Sequence, residues 1–197
     1  MQFVSKTGPI DKLSTPCLIL PVFSKGKQLE ITDNFDRAQS GQIAAVLKQG
    51  DASGKVGNTL LLQMPIGCKI KRVLLVGIGE QGKTSAEDFK KAASATTNAL
   101  KNLPIKTVCS AFLAVEVGNK DIEWKVRQLI LKSREALYQY TETLTTSAPD
   151  ANILEKCQLL VTSDSSAKAI NNAANTASSI ANGIDCAKRL ADLPGNI

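Results

Sequence analysis

Histidine is absent from the 197 residues. Its absence excludes Ser-His-Asp and Cys-His nucleophile activation, His-ligated zinc and imidazole acid–base chemistry together. Catalysis on this chain would have to rest on carboxylates, lysine or cysteine. The five cysteines (Cys17, Cys68, Cys109, Cys157 and Cys186) are odd in number, widely spaced and without a C-x-x-C pair, so they read as free, mostly buried thiols of a reducing compartment. Aromatic residues make up only 4%, which makes the core an aliphatic one. No apolar run approaches the roughly 18 residues of a membrane span. The longest, around Cys17 to Phe23, is interrupted by Pro21. The first residues, Met-Gln-Phe-Val-Ser-Lys, lack the charged and then apolar segments of a signal peptide, so none is expected.

What is present suffices for one domain with a substantial core plus an appendage, 43% of the residues being hydrophobic. The net charge of +6 permits polyanion binding. The basic residues are spread along the chain rather than clustered, and solubility explains them more simply.

The chain is organised around Lys69 to Thr84. Arg72 to Gly77 is a short apolar run rich in Val and Leu, the composition of a strand covered on both faces. Beyond it, Gly77, Gly79 and Gly82 spell G-x-G-x-x-G, and Gly77 to Thr84 also spells the phosphate-loop pattern G-x-x-x-x-G-K-T. Context favours a structural strand-to-helix turn. Thr84 with Glu87 and Ser85 with Asp88 are capping boxes, so the next helix starts at one of these residues and leaves Lys83 outside it. Glu80, Glu87 and Asp88 already suit the helix N-terminus and would repel a triphosphate. The acidic residue that a dinucleotide site needs about 20 positions on is missing, the next one in a strand-like setting being Glu116.

Met1 to Lys6 and Pro16 to Phe23 read as strands, and Asp33 to Gln49 as a helical region broken at Ser40-Gly41 and closed by Gly50. Gly54 to Asn58 is a loop. Thr59 to Met64 is a strand that turns through Pro65-Ile66-Gly67 into an antiparallel neighbour, the central strand. Phe89 to Leu103 shows helical periodicity and ends at Pro104, and Thr107 to Val117 reads as one continuous strand. Asp121 caps a helix whose buried stripe is Ile122, Val126, Leu129, Ile130, Leu137 and Tyr140, with Trp124 anchoring its first turn. Thr141 to Asn152 has loop composition, and Lys156 to Ser163 supplies a further strand. Ser165 to Leu190 then reads as one helix of roughly 37 Å, with small residues along its apolar side.

Other candidate chemistry is thin. Ser165-Ser166-Ala167-Lys168 matches S-x-x-K, but Ser165 serves equally as a helix cap and the accompanying S-D-N and K-T-G elements are missing. The cysteines have no histidine partner, and the carboxylates are scattered singly without metal-ligand spacing. No residue of this chain is expected to be catalytic, cofactor-binding or metal-ligating.

The stretches Gly54-Lys55-Val56-Gly57-Asn58-Thr59-Leu60-Leu61-Leu62, Arg72 to Gly77, Trp124 to Gln128, and Gly183 to Leu190 through Pro194-Gly195-Asn196-Ile197 together resemble the N-terminal region of the leucyl (cytosol) aminopeptidases, peptidase family M17. The similarity is greatest to the bacterial branch known as aminopeptidase A, and runs the length of the chain in order. The resemblance implies an α/β fold, a mixed sheet flanked by helices and similar to macro domains, followed by a long C-terminal connecting helix. It divides the chain into an N-terminal domain (1–163), the connector (164–192) and the first residues of an absent C-terminal catalytic domain (193–197). It also implies a hexameric cytoplasmic exopeptidase that removes N-terminal residues from peptides. Two divalent metal ions, zinc or manganese, would be held in that catalytic domain, whose Val-Gly-Lys-Gly, Asp-Ser-Gly-Gly and Asn-Thr-Asp-Ala-Glu-Gly-Arg stretches do not occur here. This segment is therefore expected to be inactive alone and to serve in assembly and substrate access, with its own catalytic domain and further copies as partners. The alternative implied by the resemblance is a binding module for DNA or for an ADP-ribose-like nucleotide. Leu193-Pro194-Gly195-Asn196 departs from the family's usual Pro-Pro or Thr-Pro before the asparagine, and Lys83-Thr84 is not a family feature. Ile180, Ile184, Ala187 and Leu190 are expected to lie exposed within this chain.

Overall fold

The computed structural model describes residues 1–64, 68–141, 154–161 and 166–193, the side chain of Asp11 excepted. Among the described residues six strands form one sheet: β1 (Gln2–Thr7), β2 (Leu18–Lys25), β3 (Thr59–Gln63), β4 (Arg72–Glu80), β5 (Thr107–Ser110) and β6 (Lys156–Val161). Their order is β1-β6-β5-β2-β4-β3, with β3 antiparallel to β4 and every other pair parallel. Five helices cover it: α1 (Glu30–Ala38), α2 (Gln42–Gln49), α3 (Ala86–Leu100), α4 (Ile122–Leu137) and α5 (Ala167–Asp192).

The core follows from strand alternation. On β4, Val73 and Leu75 face one layer with Phe35 of α1 and Ile43 of α2. Leu74, Val76 and Ile78 face the other, with Phe89, Ala92, Val126, Ile130, Ile170, Ala174 and Ala177 of α3, α4 and α5. Both faces of β4 are thus buried, as its unbroken apolar run requires. The expected break between α1 and α2 falls at Ser40 and Gly41, both in the left-handed region (φ 58° and 74°), and Gly50 (φ 88°) closes α2.

Several boundaries differ from the sequence reading. β4 does not stop at Gly77 but runs through Gly79 to Glu80, so these glycines lie inside a strand. β5 ends at Ser110; the remaining apolar residues turn down in a 3-10 turn, Phe112–Ala114, and bury themselves in the core. The first helix starts at Glu30, and α5 runs Ala167–Asp192 rather than Ser165 to Leu190. On α4 the buried stripe is Val126, Leu129, Ile130 and Ser133, whereas Leu137 and Tyr140 are half-buried and Tyr140 lies beyond the helix end. Pro65-Ile66-Gly67, Ser165, Pro194-Gly195 and nearly all of the Thr141 to Asn152 connection lie outside the described residues.

α5 is held along its length by two kinds of contact. Ile170, Ala174, Ala177 and Ala181 are buried. Farther on the ties are polar: Arg134 donates from Nε and Nη2 to Asp185 Oδ2 and from Nη2 to Asn182 Oδ1. Tyr138 Oη donates to Asp192 Oδ2 at 2.7 Å, and Lys188 Nζ stands 5.1 Å from the Tyr138 ring centroid. Three large apolar side chains of its second half stay exposed, Ile180 and Ile184 at 41% and Leu190 at 61%.

Candidate functional site

Two places in the fold merit a functional reading: the glycine crossing at the end of β4, and a cleft at the carboxyl ends of the parallel strands.

At the crossing, the loop of residues 54–58 lies directly across β4. Gly57 N–H donates to Gly77 O (3.0 Å), Gly77 N–H to Asn58 O (2.8 Å) and Gly79 N–H to Gly54 O (2.9 Å). The amides of Gly77 and Gly79 are therefore spent on the chain itself, as are those of Gln81 and Lys83, which donate to Lys25 O and Glu80 O. The rest of the motif is also occupied. Ser85, not Thr84, is the N-cap of α3, its hydroxyl accepting from Asp88 N–H (3.1 Å) while Asp88 Oδ2 accepts from Ser85 N–H (3.1 Å). Thr84 is buried with its hydroxyl unpartnered. Lys83 and Lys25 pair with Glu80 at 2.8 and 3.0 Å, and their bonds hold its carboxyl down at about 2. Glu80 thus closes β4 between two lysines instead of sitting on the helix dipole. We expect calorimetry with ATP to give no heat in the micromolar range, and Lys83→Ala to behave as the parent. A binding isotherm lost in the variant would restore the phosphate-loop reading.

The cleft, of about 1030 Å³, opens beyond the carboxyl ends of β1 and β6, beside the turn that follows β5. Pairing of β2 with β5 ends at Ile19↔Ser110. Residues 17 and 19 accept through their carbonyls from Cys109 and Ala111, so Pro21 faces the same side, beyond the end of β5. A proline without an N–H is tolerated there because no strand remains to accept from it. Its carbonyl accepts from the Thr32 hydroxyl of α1 at 3.1 Å. The walls come from residues 8–10 after β1, the start of α1 (Leu29, Glu30, Ile31, Asn34), the turn after β5 (Leu113, Ala114, Glu116), Ile122 of α4 and the end of β6. They are mainly apolar, and their charged members are both carboxylates, Glu30 and Glu116. Lys125 underpins the turn after β5, its ammonium donating to Leu113 O (2.7 Å) and Val115 O (3.1 Å), with burial lowering its pKa.

The remaining sequence candidates do not converge. Lys168 is exposed on the first turn of α5, and its S-x-x-K partner Ser165 lies outside the described residues. Cys17, Cys109 and Cys157 are buried in the core, and burial pushes the first two thiols up to about 11 and about 12 and raises the third as well. Cys186 is exposed and Cys68 half-buried. An aromatic disulfide reagent should modify Cys186 first and Cys68 next, with the other three reacting only on unfolding; five equally fast thiols in the native chain would contradict this placement. Among the described residues no three Cys, Asp or Glu side chains come together as metal ligands. The described residues thus offer no ligand set for a two-metal centre, and no step of metal chemistry is assigned to them.

Residues 19–147 match the N-terminal domain of the cytosol aminopeptidase family. The whole chain is 32% identical over 197 residues to a probable cytosol aminopeptidase of Chromohalobacter salexigens, covering 39% of that protein. The chain thus spans about two-fifths of the length of the curated relatives it matches. In fold it is similar to a tomato leucine aminopeptidase mutant (TM-score 0.77, 18% identity, all of this chain and 39% of that one). It is also similar to a Trypanosoma brucei macrodomain in complex with ADP (TM-score 0.64, 10% identity, 87% of this chain and 68% of that one). These last two likenesses concern the fold alone, a mixed sheet with flanking helices. With the family match running from within β2 past the end of α4, the chain belongs to the cytosol aminopeptidase family, as its N-terminal domain.

Proposed function

We propose that this chain is the non-catalytic part of a metal-dependent leucyl aminopeptidase that releases N-terminal residues from peptides in the cytoplasm. Its role there is to assemble the oligomer, a hexamer, and to control access of peptides to a catalytic domain carrying two zinc or manganese ions. The observation that carries this reading is similarity along the full chain to two-fifths of cytosol aminopeptidases, combined with a chain whose own carboxylates and thiols are dispersed. In this reading residues 1–163 are the N-terminal domain, 164–192 the connecting helix and 193–197 the entry to the catalytic domain. The second half of α5 supports the division: Ile180, Ile184 and Leu190 stay exposed, only partly covered by the domain that buries the first half of the helix. Hydrogen exchange tests it. Amides of residues 180–190 should exchange more slowly in a protein that includes the catalytic domain than in the 197-residue chain; equal rates would sink the connector assignment.

A second reading, a module binding DNA or an ADP-ribose-like nucleotide, draws on one observation: the cleft lies at the carboxyl ends of parallel strands in a fold similar to a macrodomain solved with ADP. The charge of its walls opposes it. Glu30 and Glu116 would face a diphosphate without a lysine or arginine among the described lining residues. Saturable heat from ADP-ribose in the micromolar range, lost on Ile31→Trp, would favour this reading over the first.

A further inference from the structure

The sheet has two edges, and the chain protects them unequally. On β1 the outward amide of Ser5 donates to Asn171 Oδ1 of α5 at 2.9 Å, and Lys6 places a charge on the strand. On β3, Thr-Leu-Leu-Leu-Gln, there is no charge, no proline and no bulge, the register with β4 running without a shift from Thr59↔Val76 to Gln63↔Arg72. Such edges are normally blunted, because their spare backbone groups template another strand.

The ladder fixes which groups are spare. Met64 N–H donates to Lys71 O and Gly77 N–H to Asn58 O, so residues 58, 60, 62 and 64 face β4. The N–H and C=O of Thr59, Leu61 and Gln63 consequently face outward, and among the described residues no hydrogen bond reaches them. Leu60, Leu61 and Leu62 are all half-exposed, Leu61 on the α3 side of the sheet and the other two on the α1–α2 side.

We infer that β3 pairs with β3 of a second copy of this chain, antiparallel about a two-fold axis through Leu61. The strand is self-complementary in that register. Thr59 stands opposite the partner's Gln63, Leu60 opposite the partner's Leu62 and Leu61 opposite its equivalent, so apolar meets apolar and no like charges face each other. The outward groups are those of the hydrogen-bonded positions, and the two strands satisfy all of them mutually, joining two six-stranded sheets into one. A second copy fits better than an unrelated extended peptide because both the spacing of the spare groups and the side-chain pattern are symmetric about Leu61. A five-residue edge buries less than the roughly 1,200 Å² of a stable complex, so the dimer is weak, with a Kd of about 10 to 500 µM. The inference goes beyond the aminopeptidase reading and does not depend on it.

Sedimentation equilibrium of the 197-residue chain, from about 5 µM to about 0.5 mM, tests it. The parent should show a concentration-dependent monomer–dimer equilibrium. Thr59→Lys with Gln63→Lys, both at exposed positions, sets lysine against lysine across the axis and should raise Kd by at least about tenfold. Thr59→Glu with Gln63→Lys sets glutamate against lysine and should return Kd to the parent value or below. Circular dichroism would verify that both variants fold. Ile184→Gln with Leu190→Gln should leave the equilibrium unchanged. A parent that stays monomeric throughout, Lys/Lys and Glu/Lys variants that associate alike, or an equilibrium abolished by the α5 changes would each overturn the proposal.

Discussion

Gly77→Ala should lower stability by roughly 3–5 kcal/mol, the range of a severe core substitution. A Cβ at this position would stand 2.0 Å from Lys55 O and 2.7 Å from Gly54 C, both backbone atoms. The loop cannot retreat cheaply. Its three hydrogen bonds to β4 would break, and Gly54 is itself pressed on the end of β2, where an added Cβ would meet Ser24 N at 2.4 Å. Gly77 has no positive φ, so the whole cost is steric. Gly82 is the internal control. It has open space around its Cβ position but φ +73°, so Gly82→Ala should cost only about 1 kcal/mol of backbone strain. Urea denaturation of the two variants decides the matter: a Gly77→Ala loss no larger than that of Gly82→Ala would mean the crossing does not set the geometry of β4.

Phe89→Ala should cost a similar amount, about 3–5 kcal/mol. Phe89 enters the core four positions beyond the Ser85 cap, fully buried, and joins three separate elements. Its ring meets Phe112 edge-on at 5.8 Å and 76°, and Trp124 at 5.8 Å and 46°. In a chain with only 4% aromatics these three rings are a large share of the aromatic core, and they fasten the turn after β5 to α3 and α4. Removing the ring leaves a cavity between elements that α3 and the sheet already hold apart. Trp124 is the only tryptophan, so its emission reports the site directly. Phe89→Ala should shift it to the red along with the loss of stability, whereas Phe89→Leu should cost no more than about 1.5 kcal/mol. Unchanged emission and a loss below about 1 kcal/mol in the alanine variant would contradict this account.

These two residues also mark what was and was not legible in the sequence. Local signals held: the Ser85–Asp88 box caps α3, Asp121 accepts from Trp124 N–H at 2.7 Å to cap α4, and Gly50 closes α2. Antiparallel pairing of β3 with β4 was readable because a short connection leaves little else. Gly77 and Gly79 were rightly read as structural rather than phosphate-binding, but as a strand-to-helix turn, whereas they lie inside β4. What requires a glycine at position 77 is nonlocal: Gly54 and Lys55, more than twenty positions upstream, press on it. Thr107 to Val117 misled for a related reason. A mostly apolar run looks the same as a strand or as a buried turn, and after Ser110 the chain leaves the sheet to seat Phe112 edge-on against Phe89 in the core. The cleft was not legible either, since its walls come from segments far apart in the chain: residues 8–10, the start of α1, the turn after β5 and the end of β6.

The exposed face of α5 was anticipated, but not its anchoring. Small residues and an apolar stripe suggested a helix that needs a partner or frays. Arg134, Tyr138 and their bonds to Asn182, Asp185 and Asp192 hold its second half against α4 without covering Ile180, Ile184 or Leu190. A charged residue near the end of α4 gives no hint of a partner some fifty positions on.

The central proposal is that this chain contributes structure, not chemistry, to an aminopeptidase. The most direct test is hydrolysis of leucine p-nitroanilide by the purified 197-residue chain, free of host peptidase, with zinc, manganese and bicarbonate supplied in turn. We predict a rate equal to the no-protein blank under every condition, since the chain has no histidine and no described cluster of metal-ligating side chains. Metal-dependent turnover that co-purifies with the chain and disappears with a chelator would contradict the account.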